Sequence, residues 1–358
     1  HNVHVCSSNY ALYGDLSQRV FDILRQFTPY VEEYSIDEAF LNFDGVNTGN
    51  LHDYGLQMRT RIRKWLSIPV CVGMAETKAL SKVANKIARK FPDQTQGVHV
   101  IDTEEKRIKA LKWTKIEDVW GIGYRMKKKM AARNIKTAYD FTDPMHTAWI
   151  KSQMGVVGLR LKKELEGESV LKLDEPIHKN SIAITRSFPK KLTEYDALRE
   201  RVSTFASVCA EKLRNQHSCC QTVSVMLGTM DTDDRKSRKH YTHAVNLPFS
   251  TSSTLTIVNT AIKILEQLYE KHQGLLFKNA GVFVSQLIPE NEKQFDLFVD
   301  ENPKHLKLMK AMDDINQKIG DRKVKLGSQG EKTWNMKQEK LSPKYTTRFD
   351  QILTIPCR

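Results

Sequence analysis

Apolar residues at helical spacing run through residues 9–27, where Leu12, Leu16, Val20, Ile23, Leu24 and Phe27 share one stripe and predict an amphipathic helix. β-Formers follow directly, Tyr30, Val31 and Tyr34 and then Phe40, Leu41 and Phe43, and the polar residues between them predict a hairpin. Helical periodicity returns over residues 52–66. A continuous apolar run at 68–75 predicts a buried strand, residues 78–90 a helix with Leu80, Val83, Ala84 and Ile87 inward, and residues 98–101 a short strand. Strands interleaved with helices predict an α/β or α+β layer.

Residues 116–165 read as helical segments, and 167–179 turn polar and loop-like, as a linker does. Beyond it come strand 181–188, helix 194–216, strands 221–228 and 241–247, helix 253–271 and strand 280–286. That order, β-α-β-β-α-β, is the split ferredoxin-like unit. The tail from residue 302 holds one helical stretch (306–319), a basic end and no catalytic motif.

A chain of 358 residues has room for roughly two or three domains. Its formal charge of +14 and pI ≈ 9.4 imply a polyanionic partner, most simply nucleic acid. No apolar run is long enough to span a bilayer and the N-terminus lacks a secretory pattern, so a cytoplasmic location and no membrane partner are expected. The six cysteines show no Cys-x-x-Cys spacing, which argues against a disulfide framework or zinc ribbon. His217 with Cys219 and Cys220 makes a poor tetrahedral set because the two cysteines are adjacent.

The chemistry concentrates at Asp37 and Glu38, between the two β-forming runs. Neighbours in a strand point to opposite faces, so the two carboxylates converge only where a tight bend interrupts the pleat, as at a hairpin tip. Carboxylates crowded in a partly buried place need a cation, and a divalent metal with hard oxygen ligands is the obvious one. Two solvated turn residues are the alternative.

Helix 78–90 carries Lys78, Lys82, Lys86, Arg89 and Lys90, either a solvated face or a group that meets phosphates. Gly121 and Gly123 flank one apolar residue between helical segments, the pattern of a helix-hairpin-helix whose backbone approaches a DNA phosphate. Lys127, Lys128 and Lys129 favour that reading over an ordinary turn. In the last strand-rich unit, Arg186, Lys190, Lys191, Arg235, Lys236 and Arg238 add charge suited to DNA. The Gln294, Leu297 and Phe298 cluster in a polar segment would be poor economy for a monomer, unless it is a strand tucked onto the preceding unit.

The string Tyr34-Ser35-Ile36-Asp37-Glu38-Ala39-Phe40 resembles the palm signature of the Y-family translesion DNA polymerases. The opening Cys6-Ser-Ser-Asn-Tyr-Ala-Leu-Tyr13 and residues 341–348 resemble the UmuC-type branch of that family, the catalytic subunits of DNA polymerase V. The resemblance implies an α+β multidomain protein: a partial palm of mixed sheet and helices at 1–105, a small helical thumb with helix-hairpin-helix at 106–167, and a linker at 168–180. A ferredoxin-like little finger at 181–288 and a clamp-binding segment with tail at 289–358 complete it. The implied activity is error-prone, template-directed nucleotidyl transfer by two Mg2+ ions in the SOS DNA damage response. Asp37 and Glu38 would hold the metals and Arg89 or its neighbour Lys90 the triphosphate. Gly121, Gly123, Lys127, Lys128 and Arg186 would hold DNA, and Gln294, Leu297 and Phe298 a bacterial sliding clamp. Implied partners are damaged primer–template DNA, a dNTP, an SOS accessory dimer and a recombinase filament, on the nucleoid.

One departure qualifies this expectation. The family places a further metal-binding Asp and the aromatic steric gate in an Asp-x-Asn-x-Phe-Tyr-like string, and His1 resembles a point inside the catalytic domain, with the first strand and most of the fingers absent. The 358 residues alone are therefore expected not to polymerise, whether they are a fragment or a truncated gene product. A non-catalytic, clamp-tethered DNA-binding module from a truncated gene and, more remotely, a metal-dependent nuclease remain the alternatives.

Overall fold

Asn9 accepts the Leu12 amide and so caps α1 (Tyr10–Leu24), whose apolar stripe turns Phe21 and Ile23 inward. The computed structural model describes residues 3–174, 179–230, 238–293, 302, 304–319, 323–330 and 338–355. Two compact units result: His1–Pro176 with Gln338–Arg358, and Ile177–Lys337.

In the first unit, β1 (Val31–Glu33) and β2 (Ala39–Leu41) form the antiparallel hairpin, with Glu32 opposite Phe40 and Glu33 opposite Ala39. α2 (Leu51–Leu66) starts at the Asn50 cap and stops at Ser67 in the left-handed conformation. β3 (Val72–Ala75) pairs in parallel with β4 (Val98–Ile101). The apolar run from residue 68 thus becomes strand only at Val72, beyond Pro69, which has no N–H to give a ladder. Thr77 caps α3 (Lys78–Lys90), followed by the single turn α4 (Pro92–Thr95). α3 lies so close to β3 that a Cβ on Gly73 would stand 2.1 Å from the Asn85 amide nitrogen, so only glycine fits there.

α5 (Glu104–Trp113), a 3-10 turn (Ile116–Asp118), α6 (Tyr124–Ala131), α7 (Ala138–Thr142), a second 3-10 turn (Pro144–His146) and α8 (Thr147–Glu166) complete this unit's helices among the described residues before the linker. α8 is broken at Gly155, whose φ of 62° and ψ of −148° are glycine geometry. One core, with Leu80, Val83 and Ile87 of α3 against Leu111, Met130, Phe141 and Leu165, joins helices on either side of residue 105. Glu164 is fully buried and accepts the amides of Ala79, Val170 and Leu171 at 3.1, 2.8 and 2.9 Å, which satisfies the carboxylate and seats the start of α3.

The second unit is the predicted alternation: β5 (Ser181–Leu192), α9 (Tyr195–Asn215), β6 (Ser218–Met230), β7 (Arg238–Thr251), α10 (Thr254–Lys271) and β8 (Phe277–Pro289). The antiparallel sheet runs β5-β8-β6-β7. β5 and β6 are therefore parallel with β8 between them, the split arrangement. α9 and α10 bury one face of it, with Val202, Phe205, Ile257 and Leu265 against Val223, Val225, Val282 and Val284.

The tail divides between the units. α11 (Lys304–Ile319) belongs to the second, where Arg214 donates to both Asp313 oxygens at 2.6 and 2.8 Å and the buried Met309 sulfur accepts the Thr254 amide. From Gln338 the chain belongs to the first: the Ser7 amide donates to the Lys340 carbonyl at 2.9 Å, and Asn9 Nδ2 to those of Ser342 and Pro343 at 3.0 and 3.3 Å. No helix among the described residues is long and apolar enough to cross a membrane.

Candidate active site

The hairpin strands end at Glu33 and resume at Ala39, so Asp37 and Glu38 sit in a five-residue loop, outside the ladder. The Tyr34 and Ser35 amides both donate to the Glu38 carbonyl at 3.0 Å and close the loop. Ser35 Oγ donates to Asp37 Oδ1 at 2.6 Å, and Ser17 Oγ on α1 donates to the Ile36 carbonyl. The bend that two neighbouring carboxylates need is present. Both are exposed, however, where crowding predicted partial burial.

Glu38 pairs with a cation from α3. Lys78, Lys82 and Lys86 lie four residues apart, hence on one face, and each pairs with a different segment. Lys78 Nζ donates to Glu32 Oε2 at 2.5 Å, with both side chains buried at 10% and 8% exposure. Lys82 Nζ lies 2.8 Å from Glu38 Oε1, at 21% and 49%. Lys86 reaches Asp118 at 2.6 Å. The Lys82 ammonium also sits 4.5 Å from the Tyr34 ring centroid and 5.1 Å from that of Phe40, and Lys78 stands 5.1 Å from the Phe40 ring. Arg89 and Lys90 are exposed at the far end of α3, about 10 Å along its axis from Lys82 at 1.5 Å per residue.

The glycine turn packs against the same hairpin. Gly121 has φ +84°, which glycine tolerates, Ile122 is buried, and Gly123 opens α6 with no atom within 4 Å of where its Cβ would be. That open backbone leaves the first amides of α6 accessible to an anion. Lys127 pairs with Glu117, and Lys128 lies 4.7 Å from the Tyr124 ring centroid. Trp120, just before the turn, donates its Nε1 proton to Tyr34 Oη at 2.8 Å.

Arg186 lies in the second unit, exposed on β5. Gln294, Leu297 and Phe298 fall outside the described residues, as do Arg235 and Lys236. Glu32, Tyr34 and Trp120 were not singled out in the sequence as site residues. The signal available was a tryptophan abutting Gly-x-Gly; the pairing of Glu32 opposite Phe40 emerges only in the fold.

The donor chemistry of the tip fits a divalent ion such as Mg2+, which binds through one or two carboxylates and leaves its other positions to phosphate oxygens and water. Among the described residues no group of three or more His, Cys, Asp or Glu side chains gathers as a complete metal cage, so the two carboxylates would be a partial ligand set.

Comparison with known proteins gives a consistent set of likenesses. Residues 1–86 match the impB/mucB/samB family, 179–297 the C-terminal domain of that family, and 306–355 a domain of unknown function, DUF4113. Protein UmuC of Salmonella typhimurium is 37% identical over 98% of this chain and 84% of its own length. Protein ImpB of the same species is 34% identical over 98% and 83%. Among solved structures, a Y-family DNA polymerase chimera, Dbh-Dpo4(243-245)-Dbh, superposes with a TM-score of 0.61 over 78% of each chain at 16% identity, a likeness of fold.

Proposed function

Because the chain belongs to the impB/mucB/samB family of Y-family polymerases, whose activity is DNA-directed DNA polymerisation, we propose that it serves error-prone translesion synthesis in the SOS response. The observation that carries this reading is the juxtaposition, within one unit, of an acidic hairpin tip, a lysine-bearing helix and an open glycine turn. Asp37 and Glu38 offer the metal-binding oxygens, and Arg89 and Lys90 meet the triphosphate. Gly121, Gly123, Lys127 and Lys128 hold the DNA backbone, with Arg186 adding a contact from the second unit. Divalent metals bound at the tip would activate a primer 3′-hydroxyl and neutralise the departing pyrophosphate.

The proposed partners are primer–template DNA, a dNTP, a sliding clamp bound through Gln294, Leu297 and Phe298, an SOS accessory dimer and a recombinase filament, in the cytoplasm at the nucleoid. The Asp-x-Asn-x-Phe-Tyr-like string has no counterpart among these 358 residues. A second reading, a DNA-binding module whose acidic tip is structural, starts from the pairing of Glu38 with Lys82, although that half-exposed pair is weak.

One experiment separates the two. The chain is fused to an N-terminal segment bearing an Asp-x-Asn-x-Phe-Tyr-like string, and primer extension is measured with Mg2+ on intact and abasic templates. The polymerase reading expects extension that Asp37→Ala abolishes. No extension, or extension that survives Asp37→Ala, leaves the binding module.

A further inference from the structure

We propose that Trp120 is a positioning residue that ties the glycine turn to the acidic tip, so that DNA held at the turn sets the geometry of the loop bearing Asp37 and Glu38. This rests on the polymerase reading of the tip.

The turn does not need Trp120 to anchor itself. Ile116, Val119 and Ile122 are already buried in its own core with Met130 and Ile135. Trp120, only partly buried against that core, also addresses the hairpin. Its indole lies 5.7 Å, centroid to centroid, from both Tyr34 and Phe40, which pack on each other at 5.4 Å.

Those two rings flank the loop on either side, Tyr34 as its first residue and Phe40 on the returning strand. Contact with both fixes the loop's stem at its two ends. The indole N–H donates to Tyr34 Oη at 2.8 Å and sets the rotation of the tyrosine ring, which shape complementarity alone would leave loose. The same two rings seat the Lys82 ammonium that holds Glu38. A displacement of Trp120 is therefore passed to the carboxylates through the loop stem, while the half-exposed Lys82–Glu38 pair adds little. The Lys86–Asp118 pair, two residues before Trp120, ties the turn to α3, but at 27% and 36% exposure it is a weak strut. Coupling of this kind is reciprocal, so DNA at the turn and a cation at the tip affect one another.

The test uses the full 358-residue chain with Tyr34→Phe, which removes only the hydroxyl that accepts the bond, Trp120→Phe, which removes the N–H and part of the ring, and Trp120→Ala, with circular dichroism to confirm folding. Mn2+ binding without DNA is followed by electron paramagnetic resonance, and hydrogen exchange of residues 34–41 and 121–127 is followed with and without a primer–template duplex. Tyr34→Phe is expected to weaken Mn2+ binding roughly threefold, the scale of one hydrogen bond, Trp120→Phe at least as much, and the double variant no more than Trp120→Phe. Duplex should slow exchange at 121–127 in every variant, but at 34–41 fully only in the parent. Protection of 34–41 in Trp120→Ala equal to the parent overturns the proposal, as does Mn2+ affinity untouched by all three changes. If the parent shows no Mn2+ binding sensitive to Asp37→Ala, the polymerase reading fails instead, and the exchange of 34–41 alone decides whether Trp120 couples turn and loop.

Discussion

Replacing Lys78 by Met should destabilise the first unit by about 3 kcal/mol, and the size of that loss follows from what Glu32 keeps. Glu32 Oε2 accepts the Lys78 ammonium at 2.5 Å and the Asp174 amide at 2.8 Å. With the two side chains 8% and 10% exposed, water can replace little of the lost partner. Breaking such a pair from one side costs about 3–5 kcal/mol, and the surviving amide bond places this case at the lower end. Removing both charges together, Glu32→Gln with Lys78→Met, should return stability to within about 1 kcal/mol of the parent, because a buried pair roughly offsets its own desolvation. Urea unfolding read by tryptophan fluorescence is the assay, since four of the five tryptophans, Trp65, Trp113, Trp120 and Trp149, lie in the first unit. A Lys78→Met loss under about 1 kcal/mol, or a double variant that loses the sum of the singles, would refute the reasoning.

Gly123→Ala should leave stability unchanged, because nothing lies within 4 Å of the added methyl, yet weaken duplex binding several-fold by blocking the phosphate approach; equal DNA affinity in fluorescence anisotropy would remove the turn from the DNA-binding surface. DNA binding should be nearly sequence-independent and fall steeply with salt, and Lys127→Ala and Lys128→Ala should each reduce the slope of log K against log salt by about one. Leu297→Ala with Phe298→Ala should abolish binding to a sliding clamp in surface plasmon resonance while leaving DNA affinity intact. Burial pushes the Cys209 thiol up to about 12, so it stays protonated through neutral pH: iodoacetamide should label the exposed Cys6 in the native protein and Cys209 only after unfolding, as mass spectrometry would show.

The second unit was the more legible in the sequence because its strands alternate and its helices are long and striped. Its β-strands nonetheless run two or three residues beyond most of the predicted ends, since backbone ladders continue after side-chain alternation stops. In the first unit the hairpin was visible from its β-formers, and the bend at Asp37 and Glu38 from the impossibility of neighbours sharing a strand face. The exposure of that tip was not legible, because burial depends on segments distant in sequence. Nor was the seat of α3 on Glu164, a charge that looks like one more solvated residue near the end of a helix until three amides converge on it. The return of the tail to Asn9 joins residues more than 330 apart, and no local pattern announces such a contact.

The lysines of α3 show how far a charge pattern can mislead in either direction. Read as a solvated face they would be interchangeable, and read as a phosphate site they would all point at one ligand. Each instead holds a different carboxylate: Lys78 the hairpin stem, Lys82 its tip, and Lys86 the segment before the glycine turn. Burial makes them unequal. The Glu32–Lys78 pair is sheltered, so removing either partner strands a charge and the contact is fixed. Glu38 is half exposed, where an ion pair is worth about 0–1 kcal/mol, little enough for a competing cation to displace the ammonium. The hairpin is thus held at its stem by a bond that cannot exchange and carries at its tip a carboxylate that can, which is the division a metal-binding loop on a rigid support requires.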